Sequence, residues 1–181
     1  YKVKSNPWAD VEKGDYHYER TYYVHGGLGA TGQDKYCCLQ KNFNKPCPIC
    51  KHGAKLKAGG AAKDVVKQFY PKERQLFLII DRDSDDKKPQ LFETGHYMSF
   101  GEMLANKLDG ADDDSPMQSF HSLDEGMYLS IKTVQKSFAG NSYYAPSNIE
   151  MNPRSKPLPE SLLEEIPCLD DLFIELSYKE L

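Results

Sequence analysis

One histidine and a crowd of cysteines within the first fifty residues limit the fold of this chain more than any other feature. The stretch TYYVHGGLGATGQDKYCCLQKNFNKPCPIC, residues 21–50, holds His25, Cys37, Cys38, Cys47 and Cys50. A tetrahedral metal site needs short loops that aim two ligands at once, and Cys47-Pro48-Ile49-Cys50 supplies such a C-x2-C pair. His25 ends a Tyr-rich run of strand character and the cysteine pair lies on the next strand, so a hairpin brings them together. The spacing reads H-x12-C-x8-C-x2-C through Cys38, or H-x11-C-x9-C-x2-C through Cys37. Adjacent strand residues point to opposite faces, so only one of the pair can ligate. We favour Cys38, whose following CLQKNFNKPCPIC is the more natural turn back; Cys37 is the alternative. His52, close behind Cys50, is an awkward reach for the fourth position. Four protein ligands leave no open coordination position, so the expected ion is one structural zinc. In small zinc modules such binding contributes on the order of 10 kcal/mol to folding.

The same stretch carries a competing signal, G-x-G-x-x-G through Gly27, Gly29 and Gly32. A dinucleotide turn needs a helix to begin inside the fingerprint, because the pyrophosphate rests on that helix's N-terminus. Here QDKYCCL follows, which is strand-like, and no acidic residue closes a second strand about 20 residues on. The glycines therefore read as a hairpin tip. Five cysteines without an export signal point to a reducing compartment and metal ligation rather than a disulfide framework.

With 181 residues, the chain suits one domain or one domain with a small insertion. No run approaches the length of a membrane span. Charge is distributed unevenly: residues 1–75 carry 14 Lys and Arg against 7 Asp and Glu, and residues 76–181 carry 9 against 20. A basic front half suits a polyanionic partner, and an acidic back half suits a face that avoids one or meets a basic protein.

Along the chain, YHYERTYYV (16–24), KYCCL, ERQLFLIID, QLFETGHY and MYLSIKTVQKSF read as strands. GGLGATGQD and RDSDDKKP read as turns, NFNKPCPIC as a tight loop, and KHGAKLKAGGAAKDVVKQF as two short helices or one frayed one. The unbroken apolar centre of ERQLFLIID suggests burial on both faces, and MYLSIKTVQKSF alternates as a strand with one wet face. SFGEMLANKL has helical period with Ser99 and Glu102 at capping-box spacing. GNSYYAPS reads as a loop, and residues 158–181 have helical, acidic composition. Many short strands with a few inserted helices predict a mainly β chain: an OB-fold-like barrel over 1–157 with a zinc subdomain at about 25–70, followed by an acidic helical segment at 158–181.

Hydrolytic motifs are missing: there is no H-E-x-x-H, no G-x-S-x-G, and no H-x-E paired with C-x-x-C. The acids at 81–86 and 112–114 have the look of solvated turn charges. We therefore expect no enzyme. The remaining signal is aromatic residues beside cations. Single-stranded nucleic acid exposes base faces for stacking, each worth roughly 1–3 kcal/mol, and a phosphate row for lysine and arginine. Candidate contacts are Lys35, Lys41, Phe43, Tyr70, Lys72, Arg74, Lys136, Tyr143 and Tyr144. A single Tyr packs into a core as readily as it stacks, and a lone Lys is usually a solubility charge, so loop tyrosines carry most weight.

Five segments, VHGG, YCCLQKNFNKPCPICK, KERQLFLIIDRD, LFETGHYMSFGEML and FAGNSYYAPS, resemble in that order the single-stranded DNA-binding, helix-destabilising proteins of T-even and related bacteriophages. The likeness covers roughly residues 16–155. It implies an OB-type barrel with a zinc-bearing subdomain and a basic, aromatic-lined cleft that coats single strands during phage replication, recombination and repair in the host cytoplasm. Position by position, it implies His25, Cys38, Cys47 and Cys50 as zinc ligands, Lys72 and Arg74 at the entrance of the central strand, and Tyr144 as a DNA-facing tyrosine. It further implies that the acidic segment at 158–181 docks phage replication and recombination proteins. Trp8 lies outside the presumed cleft. Two other readings accompany this one: a zinc-stapled protein-interaction module that works through its acidic half, and a binder of single-stranded RNA.

Overall fold

The computed structural model describes residues 1–97, 99–138 and 140–181. The chain is mainly β, with a curled half-barrel sheet and few short helices. It divides into two compact units. The first comprises Tyr1–Leu78, Leu91–Glu93 and Pro167–Leu181; the second comprises Ile79–Gln90 and Thr94–Ile166.

The first unit is built around strand β1 (Glu19–Leu28), the Tyr-rich run, which pairs antiparallel with β2 (Asp34–Cys37) on one side and β3 (Lys72–Ile79) on the other. With β4 (Gln90–Gly95) the sheet order is β2-β1-β3-β4. The expected turn at GGLGATGQD is shorter than its glycines suggest, because β1 runs on to Leu28. The register slips between Gly26 and Leu28, where Gly27 takes φ +79°. Gly29 opens the tip at φ +76°, and its amide-side turn closes when the Gly32 N–H donates to the Gly29 carbonyl at 3.2 Å. A side chain at Gly29 would strike the Asp34 carboxylate, so these glycines serve a bulge and a tight turn.

Register assigns the sheet two distinct faces. Tyr22 pairs with Arg74, Val24 with both Cys37 and Lys72, and Gly26 with Lys35, so these residues share one face. Tyr23 opposite Glu73 and His25 opposite Tyr36 share the other. The β3 centre is less buried than its apolar sequence suggests: within the strand only Phe77 is buried, and Leu76, Leu78 and Ile79 are half-buried.

Between β2 and β3 stand α1 (Leu39–Phe43), α2 (Pro48–Ala58) and α3 (Lys63–Lys67). The expected loop at NFNKPCPIC is therefore two helix ends with a short link. Its second proline does not break structure, because Pro48 occupies the first turn of α2, where a missing N–H costs nothing. Asn44 ends α1 in the left-handed region at φ 53°. Gly53 lets α2 close on the segment after α3, since a Cβ there would lie 2.9 Å from that of Phe69.

The C-terminal segment is helical only at α5 (Leu162–Glu165), in the second unit, and in a short 3-10 turn at Leu169–Leu172. Pro159 and Pro167 interrupt what composition favours. Residues from Pro167 onward belong to the first unit and are fastened there. The Asp170 carboxylate accepts from Arg20 Nε at 2.7 Å and from the backbone N–H groups of Lys4 and Ser5 at 2.7 and 3.0 Å. Both side chains of the ion pair are buried, at 5% and 7% exposure. Leu169 is fully buried, and Phe173 packs on Tyr22 with the rings tilted by 45° and their centres 4.7 Å apart.

The second unit holds α4 (Phe100–Asp109) and a long antiparallel hairpin of β5 (Met127–Phe138) and β6 (Asn141–Pro153). Ser99 does sit at the N-cap of α4, but its hydroxyl donates back to the carbonyls of Gly95 and His96, so no capping box forms. The Glu102 N–H instead donates to the His96 carbonyl at 3.0 Å. The expected single wet face of β5 is not seen: at its start Met127, Tyr128 and Leu129 are alike half-buried. From Ile131 to Ser137 both faces are exposed, because the hairpin runs past its own packing. Tyr143 and Tyr144, expected on a loop, lie on β6. Of the two residues outside the description, Met98 and Ala139 fall within the segments expected as SFGEML's approach and the FAGNSYYAPS turn.

Candidate metal centre and basic sheet face

His25 and the cysteines converge as their spacing suggests. His25 projects from β1, Cys38 is the N-cap of α1, Cys47 is the N-cap of α2, and Cys50 lies in that helix's first turn. The ligand atoms of His25, Cys38, Cys47 and Cys50 all lie within 4.8 Å of one another. Cys38 Sγ is 3.6 Å from Cys50 Sγ, and His25 Nε2 is 3.4 Å from Cys47 Sγ and 3.5 Å from Cys50 Sγ. A tetrahedral ion bound at about 2.3 Å to sulfur and about 2.0–2.1 Å to nitrogen sets sulfurs about 3.8 Å apart and sulfur to nitrogen about 3.5 Å. These three separations suit such an ion, and the donor set is compatible with it.

The local chemistry agrees. His25 and Cys38 are fully buried, and Nε2 faces the sulfurs while Nδ1 faces the Phe69 backbone without a well-formed hydrogen bond. Burial pushes the His25 imidazole below its ordinary range, which keeps it neutral, the form that ligates. Burial pushes Cys38 and Cys50 upward, Cys50 further through its hydrogen-bonded contact with Cys38 and the charge of its neighbours. Burial also opposes ionisation of Cys47, but the backbone N–H groups of Cys50, Leu39 and Ile49 outweigh it and leave this thiol the most acidic of the three. Three thiolates this close repel one another unless a cation sits among them, so the cluster is compatible with a structural metal site. Leu39 and Ile49 are buried beside it, with Tyr23, Leu28, Tyr36, Phe43, Phe69 and Leu181 packed partly against them. Cys37 pairs with Val24 on the opposite sheet face, which is why it takes no part.

The other candidates are dispersed. On the face away from His25, Lys35 from β2 and Lys72 and Arg74 from β3 stand on the two strands that flank β1. Between them lies a carboxylate that strand-by-strand reading gave no reason to single out. Glu93 on β4 accepts from Tyr22 Oη at 2.7 Å and from Arg74 Nε at 2.9 Å, with Lys35 Nζ 4.0 Å away. Only the pairing of β4 beside β3 brings it there, and Tyr22 was equally hidden in its aromatic run. Partial burial acts against ionisation of Glu93, but Arg74 and the Tyr22 hydroxyl hold its carboxyl below the usual range. Tyr70 precedes β3 and is 46% exposed.

Lys41 and Phe43 sit on α1, with the metal cluster. Lys41 Nζ lies 5.4 Å from the Tyr23 ring centre and 5.8 Å from that of Trp8, and those two rings are 4.9 Å apart. Trp8 therefore has a partner at this corner, and the Phe43 ring packs against the cysteine cluster. In the second unit, Lys136 pairs directly with Tyr143 and Gln135 with Tyr144. The two tyrosines consequently occupy opposite faces of the hairpin, 47% and 72% exposed. Of the C-terminal acids, Asp170 is held by Arg20, Asp171 by Lys4 and Glu175 by Lys45.

No protein-family model matches the chain, and no curated protein is significantly similar to it. Among the described residues, no helix is long and apolar enough to cross a membrane.

Proposed function

We propose that this chain is a non-catalytic binder of single-stranded nucleic acid, DNA in the first instance, whose first unit is stapled by one structural zinc ion. The observation that carries the reading is the convergence of Lys35, Lys72 and Arg74 with the Tyr22 hydroxyl on one sheet face, while the four metal-ligand candidates are on the other. Cations drawn from separate strands onto one surface suit a phosphate row better than isolated solubility charges do. Zinc is the ion whose preferences match one imidazole and three thiolates in a tetrahedron. Its part is indirect: it orders α1 and α2, which abut β1, and leaves no coordination position for chemistry. The exposed tyrosines of the β5–β6 hairpin offer base-stacking surfaces. The resemblance to T-even phage single-stranded DNA-binding proteins supports the same assignment, and with it a role in phage replication, recombination and repair.

The test is a titration of fluorescent oligo-dT with metal-loaded protein at low and moderate salt, with an equal-length duplex as competitor. Binding that weakens as salt rises, and that duplex competes for poorly, is the expected result. Absence of binding at low salt overturns the proposal. An oligo-U arm reports whether a 2′-hydroxyl is preferred.

A further inference from the structure

Glu93 is out of place on a surface meant for phosphates, and its surroundings explain why it is there. Three donors from three strands, Tyr22 on β1, Lys35 on β2 and Arg74 on β3, converge on one carboxylate from a fourth. A guanidinium, an ammonium and a phenol hydroxyl gathered around one small oxyanion are also the partners that nucleic-acid phosphates receive. The cluster is open to solvent on its charged side: the side chains of Arg74 and Glu93 are 28% and 34% exposed and that of Lys35 61%, while Tyr22 is buried with Phe173 against its ring. This is a surface seat for an anion, filled by the protein's own carboxylate, and not a sealed core ion pair.

We infer that Glu93 is an internal stand-in for phosphate, and that the seat formed by Tyr22, Lys35 and Arg74 is a phosphate subsite from which the carboxylate is displaced when a single strand binds. The inference rests on the single-strand reading above and adds a regulatory residue to it. While Glu93 holds the seat, Arg74 and Lys35 cannot attract a passing polyanion with their full charge. A strand already engaged by Lys72 and the neighbouring surface completes the exchange, so weak encounters are rejected and extended ones retained. Glu93→Gln removes the rival charge yet keeps the side chain's shape and an oxygen to which Tyr22 can still donate.

The experiment is a salt series of oligo-dT titrations on the full, metal-loaded chain for wild type, Glu93→Gln and Arg74→Ala, with metal content and circular dichroism recorded for each. Glu93→Gln is expected to bind about three- to tenfold more tightly at low salt with the slope of log K against log salt little changed, because wild type makes the same phosphate contact once its carboxylate has left. Arg74→Ala is expected to flatten that slope by about 0.7, the value for one phosphate contact on a single strand. Glu93→Gln that keeps its metal and binds no tighter, or an unchanged slope in Arg74→Ala, overturns the subsite and leaves Glu93 a structural counter-charge. Should Glu93→Gln lose its fold, the Arg74→Ala slope decides alone. If wild type shows no salt-sensitive binding either, the single-strand reading itself has failed, an outcome distinguished by the wild-type titration.

Discussion

Cys37 and Cys38 are neighbours with opposite fates. Cys37 lies on the sheet face that carries Arg74, whereas Cys38 turns into the cluster with His25, Cys47 and Cys50. Cys38→Ser is therefore expected to lose bound metal and several kcal/mol of stability, on the order of a deleted structural ligand. Cys37→Ser should keep one metal per chain and an almost unchanged thermal midpoint. Metal analysis and melting of both variants check this. Glu93 sets a second residue-level expectation. Its carboxyl is held below the ordinary range in the folded chain, so it favours folding above the unfolded carboxyl's pKa, about 4.3, and that contribution disappears as pH falls through the lower folded value. Comparing wild type with Glu93→Gln in acid unfolding should show the difference shrinking below about pH 4. Residue-level chemistry of this kind is half legible in sequence. The metal ligands announce themselves through spacing, because loops set their reach, but Glu93 is an ordinary strand acid until β4 is paired.

At the scale of elements, the β5–β6 hairpin separates two tyrosines that are adjacent in sequence. Tyr143 shares its face with Lys136, while Tyr144 shares the other with Gln135. A single strand lying on one face can stack on only one of them. Tyr143→Ala and Tyr144→Ala should therefore differ in oligo-dT affinity, one losing about 1–3 kcal/mol and the other little. Equal losses in both variants would contradict the opposed-face geometry. The C-terminal clasp is the other element whose role reverses what composition suggests. Asp170 is buried against Arg20 and two backbone N–H groups, so Asp170→Ala leaves the buried guanidinium without its carboxylate, held by the Asn6 and Thr21 oxygens. A loss of about 3–5 kcal/mol by denaturant unfolding is expected. A loss below 1 kcal/mol would mean that the segment is loosely held.

For the whole molecule, the metal and the cationic face are linked through β1, which carries His25 on one side and Tyr22 and Val24 on the other. Chelation should lower the thermal midpoint first and oligonucleotide affinity second, because the fully buried apolar residues beside the cysteines are Leu39 and Ile49 and the ion supplies much of what holds α1 and α2 together. Loss of affinity without loss of stability on chelation would place the ion in direct contact with the ligand.

What the amino-acid order determined by itself is the local part of this protein. It set the His and Cys spacing, the strand character of residues 19–24, 73–79 and 127–138, the helix pair around and after Cys50, and the glycines that close the β1–β2 tip. Each depends on neighbours a few residues away, through backbone preference and loop reach. Tertiary structure alone decided which sheet face each cation occupies, that Glu93 sits among Tyr22, Lys35 and Arg74, that Tyr143 and Tyr144 look in opposite directions, and that Asp170 is buried instead of free. These depend on strand register and on pairing across as many as 167 positions, as between Lys4 and Asp171. Such pairing is selected by the free energy of the packed molecule, and no local pattern of charge or hydrophobicity encodes it.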